Sequence, residues 1–190
     1  MVWPVNESVS SGDLNICHLG DARKATQPCS IVIFGASGDL TARKLIPALY
    51  HLFKEKLMPP AFRVIGFARR EKTDDSWRKE LREALDQFSR TKPVDDAVWT
   101  SFAQNLCYCQ GDLTDAAAYG KLRQQLASFG NDALAKNLLF YLAISPSQFG
   151  LVIQQVDTAG LLHKERHGQR TTFKVNKKDA MVNALMKAVL

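Results

Sequence analysis

Ile31-Val32-Ile33-Phe34-Gly35-Ala36-Ser37-Gly38-Asp39-Leu40 is the stretch that decides the fold. Four consecutive apolar residues run straight into a glycine turn, the pattern of a central parallel strand buried on both faces. Leu45, Ile46, Leu49, Leu52 and Phe53 then trace one helical stripe, with Pro47 expected to kink the helix or to lie within its first turn.

Working outward, the same alternation continues from Ser30 to Leu162. Arg63 to Ala68 reads as a second strand, and Leu106 to Gln110 as a third that ends at Gly111-Asp112. Asn137 to Ala143 is the fourth and most apolar strand. Between them lie helical stripes: Trp77, Leu81, Leu85 and Phe88 behind a Thr73-Asp74-Asp75-Ser76 cluster able to cap them; Val98, Trp99, Phe102 and Leu106; and Tyr119, Leu122 and Leu126. Phe149, Val152, Ile153 and Val156 follow the fourth strand. This βαβαβαβα order predicts an α/β fold with a doubly wound, Rossmann-like parallel sheet. Residues 29–162 are expected to form the domain, residues 1–28 a loosely ordered polar extension, and residues 163–190 a basic tail.

Composition narrows the class. The chain has 190 residues, 46% hydrophobic and 23% charged, ordinary for a globular protein of one domain with appendages. No window approaches 18 uninterrupted apolar residues, and Met1 to Ser30 lacks a basic segment followed by an apolar run. Neither a membrane span nor a secretory signal is expected, and the cytoplasm is the default compartment. Cys17, Cys29, Cys107 and Cys109 follow no CxxC or staple pattern and are expected as reduced thiols. His163 and His167 have helical spacing, but no further ligand stands at metal-binding distance in the sequence, so no metal site is expected. Of the net charge of +6, +5 lies in the tail, where seven Lys or Arg stand against Glu165 and Asp179, and the rest of the chain is near neutral. Only Phe173 interleaves those charges, which argues against nucleic-acid binding.

In a doubly wound sheet the residues just after each strand face the ligand crevice. Gly35 to Leu40 fits a pyrophosphate held by backbone N–H groups at a helix start, although Ser37 and Leu40 stand where GxGxxG would have glycines. A tight turn without ligand is the plainer alternative. At the second strand end, Arg69-Arg70 stands where an NAD site usually carries an acid, and an arginine there suits the 2′-phosphate of NADP. Surface arginines at strand ends are the alternative reading. Tyr50 and Lys54 match a YxxxK spacing, but on the first helix, facing away from the crevice, where the match is accidental.

The run from Val32 to Tyr50, which contains Gly35-Ala36-Ser37-Gly38-Asp39-Leu40-Thr41-Ala42-Arg43-Lys44, resembles the amino-terminal signature of the glucose-6-phosphate dehydrogenases. Ile65-Gly66-Phe67-Ala68-Arg69, Gly111-Asp112 and Phe140-Tyr141-Leu142-Ala143 follow in that family's order and spacing, the whole covering about residues 30–162. The resemblance implies an oxidoreductase of the pentose phosphate pathway that takes hydride from glucose 6-phosphate to NADP, giving 6-phosphogluconolactone. It implies that Gly35, Ala36, Ser37, Gly38, Asp39 and Leu40 cradle the pyrophosphate, that Lys44 lies near the phosphates, and that Arg69 clamps the 2′-phosphate. Gly111, Asp112, Tyr141, Leu142 and Ala143 would line the groove toward the nicotinamide. Thr41 and Ser145-Pro146 are mild departures.

The family's EKPFG strand and its DHYLGKE segment, which supplies the catalytic histidine, occur nowhere in these 190 residues. A truncation or frame change near Leu162 would produce this pattern, leaving out the second α+β domain through which the family binds substrate and oligomerises. No catalytic residue is therefore assigned to the chain, and these residues alone are not expected to turn over. A stand-alone NADP-binding module with a basic tail is the competing reading.

Overall fold

A computed structural model describes residues 27–90 and 92–162, together with the backbone of 164–167 and 170–173. The expected extension, apart from its last two residues, and the far end of the tail lie outside these residues. Four strands, β1 (Cys29–Phe34), β2 (Phe62–Ala68), β3 (Leu106–Gln110) and β4 (Leu138–Leu142), form one parallel sheet in the order β3-β2-β1-β4. Six helices accompany it: α1 (Ile46–Lys54), α2 (Asp74–Phe88), α3 (Asp96–Ala103), α4 (Ala116–Ser128), α5 (Asp132–Lys136) and α6 (Phe149–Thr158). Two further strands, β5 (Lys164–His167) and β6 (Arg170–Phe173), pair antiparallel within the segment expected as a tail.

Side chains alternate across a strand, so each strand feeds two cores. Ile31, Ile33, Val64, Leu106 and Tyr108 pack with α1, α2 and α3, while Val32, Phe34, Ile65, Phe67 and Cys109 pack with α4 and α6. All six residues of β1 are buried, as its continuous apolar run requires. The residues of β4 are half-buried because it is an edge strand, paired among the described residues to β1 alone.

The other edge is closed by side chains. Asp74 Oδ1 accepts the Tyr108 N–H at 2.6 Å, and Arg78 donates to the Leu106 carbonyl from Nη2 at 2.6 Å and from Nε at 3.0 Å. Both groups come from the first turns of α2. Its start is fixed by a capping box, in which Thr73 Oγ1 accepts from Ser76 N at 3.1 Å and Ser76 Oγ accepts from Thr73 N at 2.9 Å.

The first helix does not run evenly into α1. Residues Thr41–Leu45 form a widened, π-type turn in which the Ile46 N–H reaches the Thr41 carbonyl, and Pro47 lies in the first turn of α1. Proline has no N–H to give and crowds the preceding turn, and widening that turn accommodates it. Tyr50 is buried away from the crevice; its hydroxyl accepts from the Asp95 N–H at 3.2 Å, and burial raises its pKa.

Candidate functional site

At the carboxyl ends of the strands lies a cleft of about 590 Å³ that touches the end of every strand of the parallel sheet. It opens where the connections diverge, α1 lying on one face and α4 on the other, the switch point at which such sheets take ligands. Gly35, Ser37 and Gly38 contribute from the turn after β1; Phe67 and Ala68 from the end of β2, with Arg69 and Arg70 just beyond it; Gly111 to Thr114 from the segment after β3; and Ala143, Ile144 and Gln148 from the segment after β4.

Gly35 has φ +86°, a left-handed conformation that glycine alone adopts without cost, and a Cβ there would stand 2.3 Å from the Ala143 carbonyl oxygen. The turn is pinned beneath by hydrogen bonds from Gly35 N and Ala36 N to the Phe67 carbonyl, at 2.9 and 3.3 Å. At Gly38 a Cβ would meet only the Gly35 carbonyl oxygen, at 3.0 Å. The turn leads into a helix start, whose first N–H groups have no carbonyl of their own helix to reach. The Gly38 N–H already donates to the Gly35 carbonyl at 2.9 Å, so a phosphate group laid over this turn would be met by the N–H groups of the helix residues that follow it.

The neighbouring strand ends supply charge. Arg69 is largely exposed, and its Nε lies 3.8 Å from Asp112 Oδ2. The backbone beneath it is held, because the Tyr108 hydroxyl donates to the Arg70 carbonyl at 2.7 Å. Asp112 Oδ1 accepts from Thr114 N at 2.9 Å and from Thr114 Oγ1 at 2.7 Å. Those two hydrogen bonds, ahead of the charge on Arg69, hold its carboxyl below the usual carboxylate range. Under the cleft the rings of Phe34, Phe67, Tyr119 and Phe140 pack together; Phe34 and Phe67 lie 5.1 Å apart between centroids.

Seven of the expected residues meet in this cleft: Gly35, Ser37, Gly38, Arg69, Gly111, Asp112 and Ala143. The others are placed differently. Ala36 is buried beneath the turn, and the exposed Asp39 pairs with Arg43 at 3.3 Å. Leu40 is surface-exposed, while Tyr141 and Leu142 pack against opposite faces of the sheet. Lys44, expected near the phosphates, lines a separate small groove with Pro47, His51 and Phe88. Gly111 and Asp112 stand at the opposite end of the sheet from Tyr141 to Ala143, since β3 and β4 are its two edges. Gly111 also has a packing role, as a Cβ there would lie 2.5 Å from Ala118 Cβ and 2.6 Å from Phe67 Cζ. Ile144, which directly follows the fourth strand as the crevice rule requires, also lines the cleft, and Leu113, Thr114 and Gln148 complete it without having been expected. Among the described residues no cluster of three His, Cys, Asp or Glu could hold a metal, and no helix is long and apolar enough to cross a membrane. His163 and the side chain of His167 lie outside the described residues.

Comparison with known proteins agrees with this geometry. The profile of the family described as "Glucose-6-phosphate dehydrogenase, NAD binding domain" matches residues 32–173, eleven residues beyond the boundary expected at 162. Among curated relatives, glucose-6-phosphate 1-dehydrogenase of Chlamydia muridarum is 40% identical over 156 residues, 82% of this chain and 31% of the relative. The Dickeya dadantii enzyme of the same name is 38% identical over 135 residues, 71% of this chain and 26% of the relative. Among solved structures, glucose-6-phosphate 1-dehydrogenase from Mycobacterium avium superposes with a TM-score of 0.63 at 32% identity, over 72% of this chain and 28% of that one. A glucose-6-phosphate dehydrogenase in complex with its substrate glucose-6-phosphate gives a TM-score of 0.62 at 30% identity, over 73% of this chain and 29% of that one. The chain thus spans about three tenths of the length of these relatives. With a parallel sheet, a glycine turn at its switch point and a family profile covering most of its length, the chain belongs to the glucose-6-phosphate dehydrogenase family.

Proposed function

We propose that the chain binds NADP, with the pyrophosphate over the turn at Gly35, Ser37 and Gly38 and the 2′-phosphate on Arg69. The observation that carries this reading is the convergence of the glycine turn and Arg69 on one cleft, with no acid at the end of β2 to receive a ribose 2′-hydroxyl. An arginine fork matches a phosphate geometrically and electrostatically, and each charge-assisted hydrogen bond contributes about 1.5–3 kcal/mol. In the larger context that the relatives' names describe, the reaction served is oxidation of glucose 6-phosphate, with hydride passing from its C1 to the nicotinamide. These 190 residues hold neither EKPFG nor DHYLGKE, and loss of a general base alone costs a factor of about 10² to 10⁴ in rate. The chain by itself therefore binds the cofactor without turning over the sugar phosphate. A cytoplasmic setting suits Cys107 and Cys109, which stand outside any disulfide.

The test is a titration of the purified chain with NADPH followed by nicotinamide fluorescence, with 2′,5′-ADP and 5′-AMP as competitors. Saturable binding displaced by 2′,5′-ADP at far lower concentration than by 5′-AMP is the expected result. Equal displacement by both removes the 2′-phosphate assignment, and absence of saturable binding removes the reading.

A further inference from the structure

A carboxylate does stand beside Arg69, one strand over from where an NAD site would carry it. Asp112, at the end of β3, points Oδ2 toward Arg69 Nε across 3.8 Å while Oδ1 is taken up by Thr114 N and Oγ1 at 2.9 and 2.7 Å. The two halves of the pair are held very differently. The carboxylate is fixed by the turn it forms with Thr114, and nothing about that turn depends on the arginine. The arginine side chain is 79% exposed, against 41% for the aspartate, and the carboxylate is its ion-pair partner among the described residues.

We propose that Asp112 is a specificity-determining residue that tempers Arg69 and so narrows the preference for NADP over NAD; this rests on the reading of the cleft as an NADP site. A 2′-phosphate brought to Arg69 meets a guanidinium already partly neutralised, with a fixed negative charge beside it. An NAD ribose brings no phosphate to repel, and its 2′-hydroxyl is a donor that a carboxylate can accept. Both effects act in one direction, against the phosphorylated cofactor. Their size is bounded by exposure: a solvated ion pair is screened, and the effect on affinity is about 1.4- to 5-fold.

Asp112→Asn removes the charge and keeps an oxygen able to accept from Thr114, so the turn survives. The experiment measures Kd for NADP⁺ and NAD⁺ on the full chain, wild type and Asp112→Asn, at about 50 mM and about 500 mM NaCl, concentrations that bracket effective screening. NADP⁺ is expected to bind about 2- to 5-fold more tightly to the variant, NAD⁺ equally or more weakly, and the NADP⁺ gain is expected to shrink at high salt. A loosened loop would move both dinucleotides together and would not respond to salt. If wild type binds NADP⁺ and the variant binds it equally or more weakly, or both cofactors shift alike, this proposal is overturned and the cofactor reading stands. If wild type binds neither dinucleotide, both fall together. Should Asp112→Asn fail to fold, Asp112→Ser, which keeps a short acceptor, is read by the same criteria.

Discussion

The α-carbon of Gly35 lies so close to the backbone of Ala143 that a single methyl group on it would stand 2.3 Å from the Ala143 carbonyl oxygen and 2.9 Å from the carbonyl carbon. This near contact ties the turn after β1 to the end of β4, where the Ala143 N–H extends the ladder by donating to the Phe34 carbonyl at 2.9 Å. Gly35→Ala therefore meets two penalties, a left-handed φ and a backbone collision that no rotamer relieves. A loss of at least about 2 kcal/mol is expected in urea unfolding, together with loss of NADPH binding. An alanine variant with wild-type stability would show that β1 and β4 can separate freely.

Arg69→Ala should weaken NADP⁺ by about 1.5–3 kcal/mol, roughly 10- to 150-fold in Kd, and leave NAD⁺ nearly unchanged, because the 2′-phosphate is the group that distinguishes them. Calorimetric titration with both dinucleotides measures the difference. Equal losses would place the phosphate elsewhere.

Gly38→Val should abolish dinucleotide binding and leave the far-ultraviolet circular dichroism near wild type. A Cβ at this position meets only the Gly35 carbonyl oxygen, at a tight 3.0 Å that a small shift of the turn relieves, but the branched side chain would occupy the surface offered to the pyrophosphate. Normal binding by the valine variant would reduce the loop to a connection.

Gly66→Ala tests the packing below the turn. A Cβ at Gly66 would come within 2.5 Å of the Trp77 ring and 2.8 Å of Ala36 Cβ, so the fully buried indole must shift. Overpacking of this kind costs about 1–3 kcal/mol, and a change in tryptophan fluorescence should accompany the lowered Tm. An unchanged emission spectrum would show that the indole does not bear on β2.

Burial pushes the Cys109 thiol up to about 11, so at pH 8 almost none of it is thiolate, the nucleophilic form. Iodoacetamide at pH 8 should therefore label Cys109 slowly in the folded chain and rapidly in 6 M guanidinium, about the concentration that unfolds most domains. Rates rise with pH toward the thiol's pKa, and site-resolved mass spectrometry follows each cysteine. Fast native labelling would mean that the strand opens.

Much of this was legible in the residues. The apolar runs at Ile31, Arg63 and Leu106 mark β1, β2 and β3 to within two residues, because each is bounded by a turn or polar signal that has its own physical cause. Thr73 and Ser76 announce the start of α2 in the same way. Helix α5 was not legible: it is one turn with Leu134 as its buried residue, and one apolar position has no period.

The site was legible where the backbone dictates it and obscure where loops choose the path. Gly35, Gly38 and Arg69 lie directly at strand ends. Gln148 depends on the route of the segment after β4, which turns through Pro146–Gln148 before α6. Lys44 was placed near the phosphates by resemblance alone; it lies within the widened turn over Thr41–Leu45 and lines a groove of its own with Pro47, His51 and Phe88. Asp112-x-Thr114 carried a readable signal, an aspartate two residues before a hydroxyl, but the neighbour it would face depends on strand order, which periodicity does not fix.

The side-chain closure of β3 by Asp74 and Arg78 gives the sheet a direction of growth. On that flank the backbone groups of Tyr108 and Leu106 are already satisfied, so an incoming strand would have to displace a carboxylate and a guanidinium to find them. On the β4 flank no described group competes for the ladder. Any strand joining this sheet, from the same polypeptide or from another, therefore arrives beside β4, at the Ala143 end of the cleft, and leaves Arg69 and Asp112 at the far end undisturbed.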